Sequence, residues 1–223
     1  MLELRGGSSG ATGLLVMRRL HIFRTGETDA ARVEAFSDGV LAIVITLLIL
    51  NVQIPRQISG GNAALWRALR AQLPMLGAWV LSFFFVLVFW VAHHYFFRRL
   101  ERVDRGILWL NGLFLLSISF TPFPTALLGI YPTLSAASTM LACAMFATAS
   151  SFTLMRWYAT RHAKLFASGY ADDATRALRR SFIGPACYAL AALAAQFQVA
   201  IAIAIMIAVP LLFFLPQRAS GDK

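Results

Sequence analysis

Charge is scarce in this chain. Only 13% of its 223 residues are Asp, Glu, Lys or Arg, against 59% hydrophobic, and the mean hydropathy is +0.69. A soluble globular domain carries about 25% charged residues, so the composition excludes one. Cysteine is nearly absent: Cys143 and Cys187 each sit inside an apolar stretch, which excludes a disulfide framework and a thiolate metal site and leaves them as small packing residues. No H-E-x-x-H or P-loop spacing occurs, no carboxylate pair sits beside a nucleophile in an apolar pocket, and the early glycines do not form G-x-G-x-x-G. The chain reads as neither an enzyme nor a cofactor binder. Acidic residues are half as many as basic ones, giving a formal charge of +10. In a soluble chain that would point to nucleic acid; in a membrane chain it marks loops retained in the cytoplasm, and no nucleic acid is needed.

What is present is long apolar stretches. A helix needs about 20 apolar residues to cross the bilayer core. Five regions qualify: about 35–54, 73–97, 106–128, 133–155 and 181–216. The last is free of charge from Phe182 to Leu215, and at about 1.5 Å per residue it would make a rod of about 50 Å, too long for one crossing. A turn near Gln196 to Gln198 divides it into 181–197 and 198–216, which predicts an all-α, six-span protein with both termini on one side. Placing that side in the cytoplasm puts there every Lys and Arg except Arg56, Arg67 and Arg70, the asymmetry expected of a multi-pass inner-membrane protein. Residues 1–30 read as a flexible, Gly- and Ser-rich extension with Met17 as an alternative start, 31–218 as the membrane domain and 219–223 as a tail. In the fourth span Ser135, Thr139, Cys143, Ala147 and Ser151 recur every four residues, predicting a face of close helix approach. Pro122 and Pro124 predict a kink near the outer end of the third.

Ionisable residues at membrane depth are the candidates for function, because each is costly there. They are Glu34 and Asp38 at the start of the first span, and His93 and His94 at the end of the second. Adjacent histidines on a helix point about 100° apart and do not converge on a metal as an i, i+4 pair does, so one of them is expected to hydrogen-bond another helix, such as that of Asn111. Asp38 is expected to meet donors from the second or third span, His93 or Asn111. Ile43, Thr46, Leu47 and Leu50 fall at i, i+3, i+4 and i+7 on one face of the first span. Periodicity alone does not separate a pore wall from a lipid-facing or buried seam.

The run Arg32-x-x-x-Phe36-Ser37-Asp38-Gly39, followed by Ala42-Ile43 and Thr46-Leu47-Leu48, resembles the signature of the bacterial members of the lysosomal-type potassium channel family known as TMEM175. The likeness continues through His93-His94 with Arg98, through Asp104, Trp109, Leu110 and Asn111, and into Ser119-Phe-Thr-Pro122-Phe-Pro124-Thr125. It covers about residues 32–128, while the last three spans match mainly in hydropathy. Leu41 departs from the Phe most often found there. The resemblance implies a homotetrameric, potassium-permeable channel with the first helix of each subunit lining the pore. Carried over by position, Ile43, Leu47 and Leu50 are implied to form the apolar constriction, with Thr46 adding a hydroxyl. Arg32, Phe36, Ser37, Asp38 and Gly39 fall in the motif implied to fix the first helix against its neighbours, and His93, His94 and Asn111 are its expected partners. Nothing like T-V-G-Y-G occurs, so no carbonyl-ring filter is implied and the permeant potassium ion would be the only bound species besides membrane lipid. The alternatives are a non-conducting scaffold, in which the motif serves packing alone, and a secondary transporter, for which inverted repeats and interrupted helices are lacking.

Overall fold

A computed structural model describes residues 29–55, 59–167 and 169–214. The expected extension 1–30, except its last two residues, and the tail 219–223 lie outside the described residues, as does the end of the last expected span. The described residues form nine α-helices in order: α1 Ala30–Leu48, α2 Gly61–Ala71, α3 Leu73–Phe97, α4 Arg105–Ser119, α5 Pro122–Ile130, α6 Ser135–Arg161, α7 Ala171–Ser181, α8 Ile183–Ala194 and α9 Val199–Phe214. Among the described residues there is no strand beyond an isolated bridge between Leu100 and Phe166.

Local chemistry sets the helix ends. Asp29 caps α1 by accepting from Ala31 N, and Asp104 caps α4 by accepting from Ile107 N at 2.9 Å. Ahead of α2 the chain turns through Gly60 and Gly61 at φ 121° and 65°, where a Cβ would be strained. Between α4 and α5 the helix breaks at Phe120 and Thr121. Pro122 and Pro124 have no N–H to give to the carbonyls of Ile118 and Phe120, which accept instead from Thr121 N and Phe123 N, each at 3.1 Å. The Pro122 carbonyl is taken by Asn51 Nδ2 at 3.1 Å, tying the end of the first span to this break.

Among the described residues four stretches are long and apolar enough to cross a bilayer: Ala30–Asn51, Leu73–Phe97, Arg105–Ile130 and Ser135–Arg161. The remaining apolar run is cut by a turn at Ala195–Gln198 into α8 and α9, of 12 and 16 residues. At about 1.5 Å per residue each is shorter than a 30 Å hydrocarbon core. The segments before α3 and after α6, expected to be loops, contain two further helices, α2 and α7, both amphipathic and only 11 residues long.

The core lies around α6. It packs against α4, α5, α7, α8 and α9, and 61% of its most apolar window is buried, against 28% for the first span. Rings from three helices meet beside it: Phe89 of α3, Phe114 of α4 and Phe152 of α6, with centroids 5.3–6.5 Å apart. The four-residue stripe on α6 is not the packed face. Ser135, Cys143 and Ala147 are exposed and only Ser151 is buried, whereas Leu141, Ala142, Met145, Ala149 and Phe152 are covered. Two adjacent rows of small residues run along this helix, and the neighbouring helices chose the row interleaved with Leu, Met and Phe, which offers both close approach and apolar volume.

Candidate functional site: the first helix and its partners

The helix α1 has one covered face and one bare face. Val33, Ser37, Leu41, Val44 and Leu48 recur every three or four residues and are buried against α3 and α4. On the other side Ile43 is 59% exposed, Leu47 43% and Leu50 72%, and Thr46 is exposed between them. Thr46 Oγ1 donates to the Ile43 carbonyl at 2.9 Å, which satisfies its hydrogen within the helix and leaves its lone pairs facing outward. Phe36 and Gly39 share this open side, and a Cβ at Gly39 would touch nothing within 4 Å.

The covered face carries a directional chain of hydrogen bonds. Ser37 Oγ donates to the Val33 carbonyl at 2.8 Å, so its single hydrogen is committed and the hydroxyl can only accept from Asn111 Nδ2, at 2.9 Å. That orients the amide, and Asn111 Oδ1 then accepts from His93 Nε2 at 2.9 Å. The His93 ring is fully buried, stacked on Phe97 at 4.3 Å and Phe114 at 5.5 Å between centroids. Three helices are thereby joined through one serine, one amide and one imidazole.

A second set of contacts flanks it. Trp90 Nε1 donates to Asp38 Oδ1 at 2.9 Å, and His94 Nδ1 lies 2.7 Å from Glu34 Oε1. Glu34 and Asp38 are four residues apart on α1, Trp90 and His94 four apart on α3, and the pairs run antiparallel, like two rungs. The Trp90 and His94 rings stack at 6.0 Å. Asp38 therefore meets Trp90, not His93 or Asn111 as expected. Ser37 holds the packed row of α1, and Asp38, about 100° further round, is turned to the flank of α3. Trp90 was missed by sequence reasoning although a signal existed: it stands one turn before His94, matching the Glu34 to Asp38 spacing. Arg32 does not join the network. It is exposed on the first turn, one step round from Val33; its backbone N–H donates to the Asp29 carbonyl at 3.1 Å, and its side chain has no hydrogen bond or ion pair among the described residues. His93 and His94 point to different partners, and no group of three metal-ligating side chains occurs among the described residues.

A further anchor closes the basic end of the bundle. Asp104, besides capping α4, accepts from Tyr158 of α6 at 2.9 Å. Gly106 makes room for this approach, since a Cβ there would collide with the Tyr158 ring.

Comparison with known proteins gives these contacts a context. Residues 32–122, which hold both rungs and the Ser37–Asn111–His93 chain, match the family described as endosomal/lysosomal potassium channel TMEM175. A potassium channel of Streptomyces collinus is 42% identical over 158 residues, covering 69% of this chain and 76% of the relative. A potassium channel of Chamaesiphon minutus is 34% identical over 169 residues, covering 74% and 83%. The crystal structure of a lysosomal potassium-selective channel TMEM175 homolog from Chamaesiphon minutus superposes with a TM-score of 0.75 at 30% identity, over 83% of this chain and 96% of that one. The family is one of channels, not of enzymes, and four long apolar helices make this a membrane protein. With this identity sustained over most of the length of its bacterial relatives, the chain belongs to the TMEM175 family.

Proposed function

We propose that the chain is the subunit of a potassium-permeable channel of the bacterial plasma membrane, in which four copies surround an axis with α1 innermost and six spans leave both termini in the cytoplasm. The observation that carries this reading is the bare face of α1: the subunit buries Leu41, Val44 and Leu48 and leaves Ile43, Thr46, Leu47 and Leu50 uncovered. One such helix encloses nothing. A closed ring of identical copies brings four bare faces together, and cyclic symmetry is the ordinary way to do so. Rings of Ile43, Leu47 and Leu50 would then form the constriction, excluding water when narrow and passing a partly dehydrated ion when wider. Thr46 would present its outward lone pairs beside Leu47. The relatives' names as potassium channels set the ion. The Ser37–Asn111–His93 chain and the two rungs would hold the rotation of α1, so that this face and not its neighbour meets the axis.

Ion flux into liposomes containing the purified protein tests this, using Leu47→Asn and Leu48→Asn as a matched pair. In the proposed arrangement Leu47→Asn wets the constriction and raises conductance or weakens potassium preference. Leu48→Asn, about 100° round the helix and fully buried, lowers the yield of assembled protein. Equal losses of protein at both positions with unchanged current per folded channel would remove α1 from the pore. Absence of flux at every potential would favour a scaffold.

A further inference from the structure

Away from α1 the chain holds a cavity of about 700 Å³, bounded by α3, α6, α7, α8 and α9 at the basic end of the bundle. Its volume falls within the range of about 300 to 1,000 Å³ typical of ligand sites. One half is apolar, walled by Phe89, Phe152, Tyr188 and Val209. The mouth is basic: Arg99, Arg156, Arg176 and Arg180 line it, and Asp173, the one acidic lining residue among those described, is held by Arg176 at 2.6 Å.

Arg156 stands where the two halves meet. The side chain is partly buried with its Nε covered, and Cζ lies 4.8 Å from the centroid of the Phe152 ring and 5.9 Å from that of Phe96. Among the described residues its Nη atoms reach two backbone carbonyls, Ala177 at 3.3 Å and Ala92 at 3.4 Å, both long for hydrogen bonds. Its Nε is buried with no partner, and no carboxylate pairs with the side chain among the described residues. A buried cation without a counter-charge is unfavourable, and a guanidinium fork matches the oxygens of a phosphate.

We infer that this cavity binds an anionic phospholipid, its phosphate on Arg156 with Arg99 and Arg176 at the rim and an acyl chain among Phe89, Phe152, Tyr188 and Val209. A free phosphate would use the arginines and leave the aromatic walls wet; a zwitterionic lipid would fill the walls and leave the positive charge uncompensated. Only an anion joined to an alkyl chain satisfies both halves, and the bilayer crossed by the long apolar helices supplies such molecules.

The test is native mass spectrometry of the purified protein in mild detergent, offered phosphatidylglycerol and phosphatidylcholine with the same acyl chains. Wild type should retain phosphatidylglycerol in preference by about fivefold for each arginine engaged, and Arg156→Gln should abolish most of that preference. Two further variants keep the test decisive if Arg156→Gln does not fold. Arg176→Gln changes a side chain that is 75% exposed and should reduce the preference by a smaller factor. Val91→Trp narrows the apolar half from an exposed position and should lower retention of both lipids with Arg156 intact. Equal retention of the two lipids by wild type, unchanged retention in both Arg176→Gln and Val91→Trp, or release of phosphatidylglycerol by millimolar inorganic phosphate would each overturn the assignment.

Discussion

Two helix seams in this molecule solve the same problem by different means. Where α1 meets α3 and α4, the contact is fastened by Ser37, Asn111 and His93 and flanked by the Asp38–Trp90 and Glu34–His94 pairs. Where α6 meets α8, it is made of small residues: Ala149 and Ala191 are buried, and a Cβ at Gly184 would come within ordinary contact of the Ala149 methyl group. Side-chain ties to α6 sit at the two ends of this seam: Thr153 Oγ1 donates to the Ser181 carbonyl at the end of α7 at 2.9 Å, and Gln196 Nε2 in the α8–α9 turn donates to Thr139 Oγ1 at 2.7 Å. In lipid no hydrophobic drive presses helices together, so association relies on close packing and interhelical hydrogen bonds. The small-residue seam supplies affinity but tolerates a few degrees of rotation. The polar seam has direction, because a serine, an amide and an imidazole with committed hydrogens fit together in one register. It lies against the helix whose rotation decides which face is left bare.

This contrast can be broken most severely at Asn111. Asn111→Ala removes two buried interhelical bonds and leaves His93 Nε2 and the Ser37 hydroxyl facing each other across a gap. At about 0.6 to 1.7 kcal/mol per bond, the expected loss is about 1 to 3 kcal/mol. The measurement is the fraction of assembled protein surviving a heating series in detergent. A double-mutant cycle with Ser37→Ala should show clear non-additivity, since both changes cut the same chain. Additive losses would mean that the two residues pack independently and that the chain is no unit.

Gly184 probes the other seam. Gly184→Ala places a methyl group 3.4 Å from Ala149 and should leave stability nearly unchanged, while Gly184→Leu overfills the contact at a cost of about 1 to 3 kcal/mol. The informative difference is functional. Overfilling α6 against α8 should lower yield without altering ion preference, whereas the Asn111 change, by loosening the rotation of α1, should alter preference in whatever protein survives. If Gly184→Leu shifts ion preference as strongly, the division of labour between the seams is wrong.

The same contrast explains how much the sequence disclosed. Within the apolar spans of residues 32–122 polar side chains are few, so Ser37, Asp38, His93 and Asn111 stand out against the background and form a recognisable signature. Asn51 and Trp90 join them unannounced, because an amide at a helix end and an aromatic in an aromatic-rich helix look ordinary until a partner is in place. Arg32 shows the converse, a residue conspicuous in the motif that stays on the surface of the subunit. In the last three apolar stretches most positions are small or apolar, with Ser and Thr scattered among the Ala of α6, and one row reads much like the next. The turn at Ala195–Gln198 was legible because two glutamines interrupt the run, while the packed face of α6 was not, because alternative small-residue rows differ by one step of about 100°. Helices α2 and α7 escaped notice because amphipathic segments of 11 residues in charged connections look like loops.

The smallest expected effect comes from the rungs. Trp90→Phe keeps the ring and removes the N–H that serves Asp38; the contact is exposed, so the cost should be about 0.5 to 1 kcal/mol. The Glu34 and His94 pair is partly open to solvent, with side chains 17% and 35% exposed, and Glu34→Gln should cost no more than that. Neither change alone should reduce assembled protein measurably. Together they remove both rungs from one helix pair while leaving Ser37, Asn111 and His93 untouched. If the chain of three alone fixes the rotation of α1, the double variant conducts with unchanged ion preference. If preference shifts while yield is kept, rotation is shared between the chain and the rungs, and Trp90 acts as a positioning residue for the bare face.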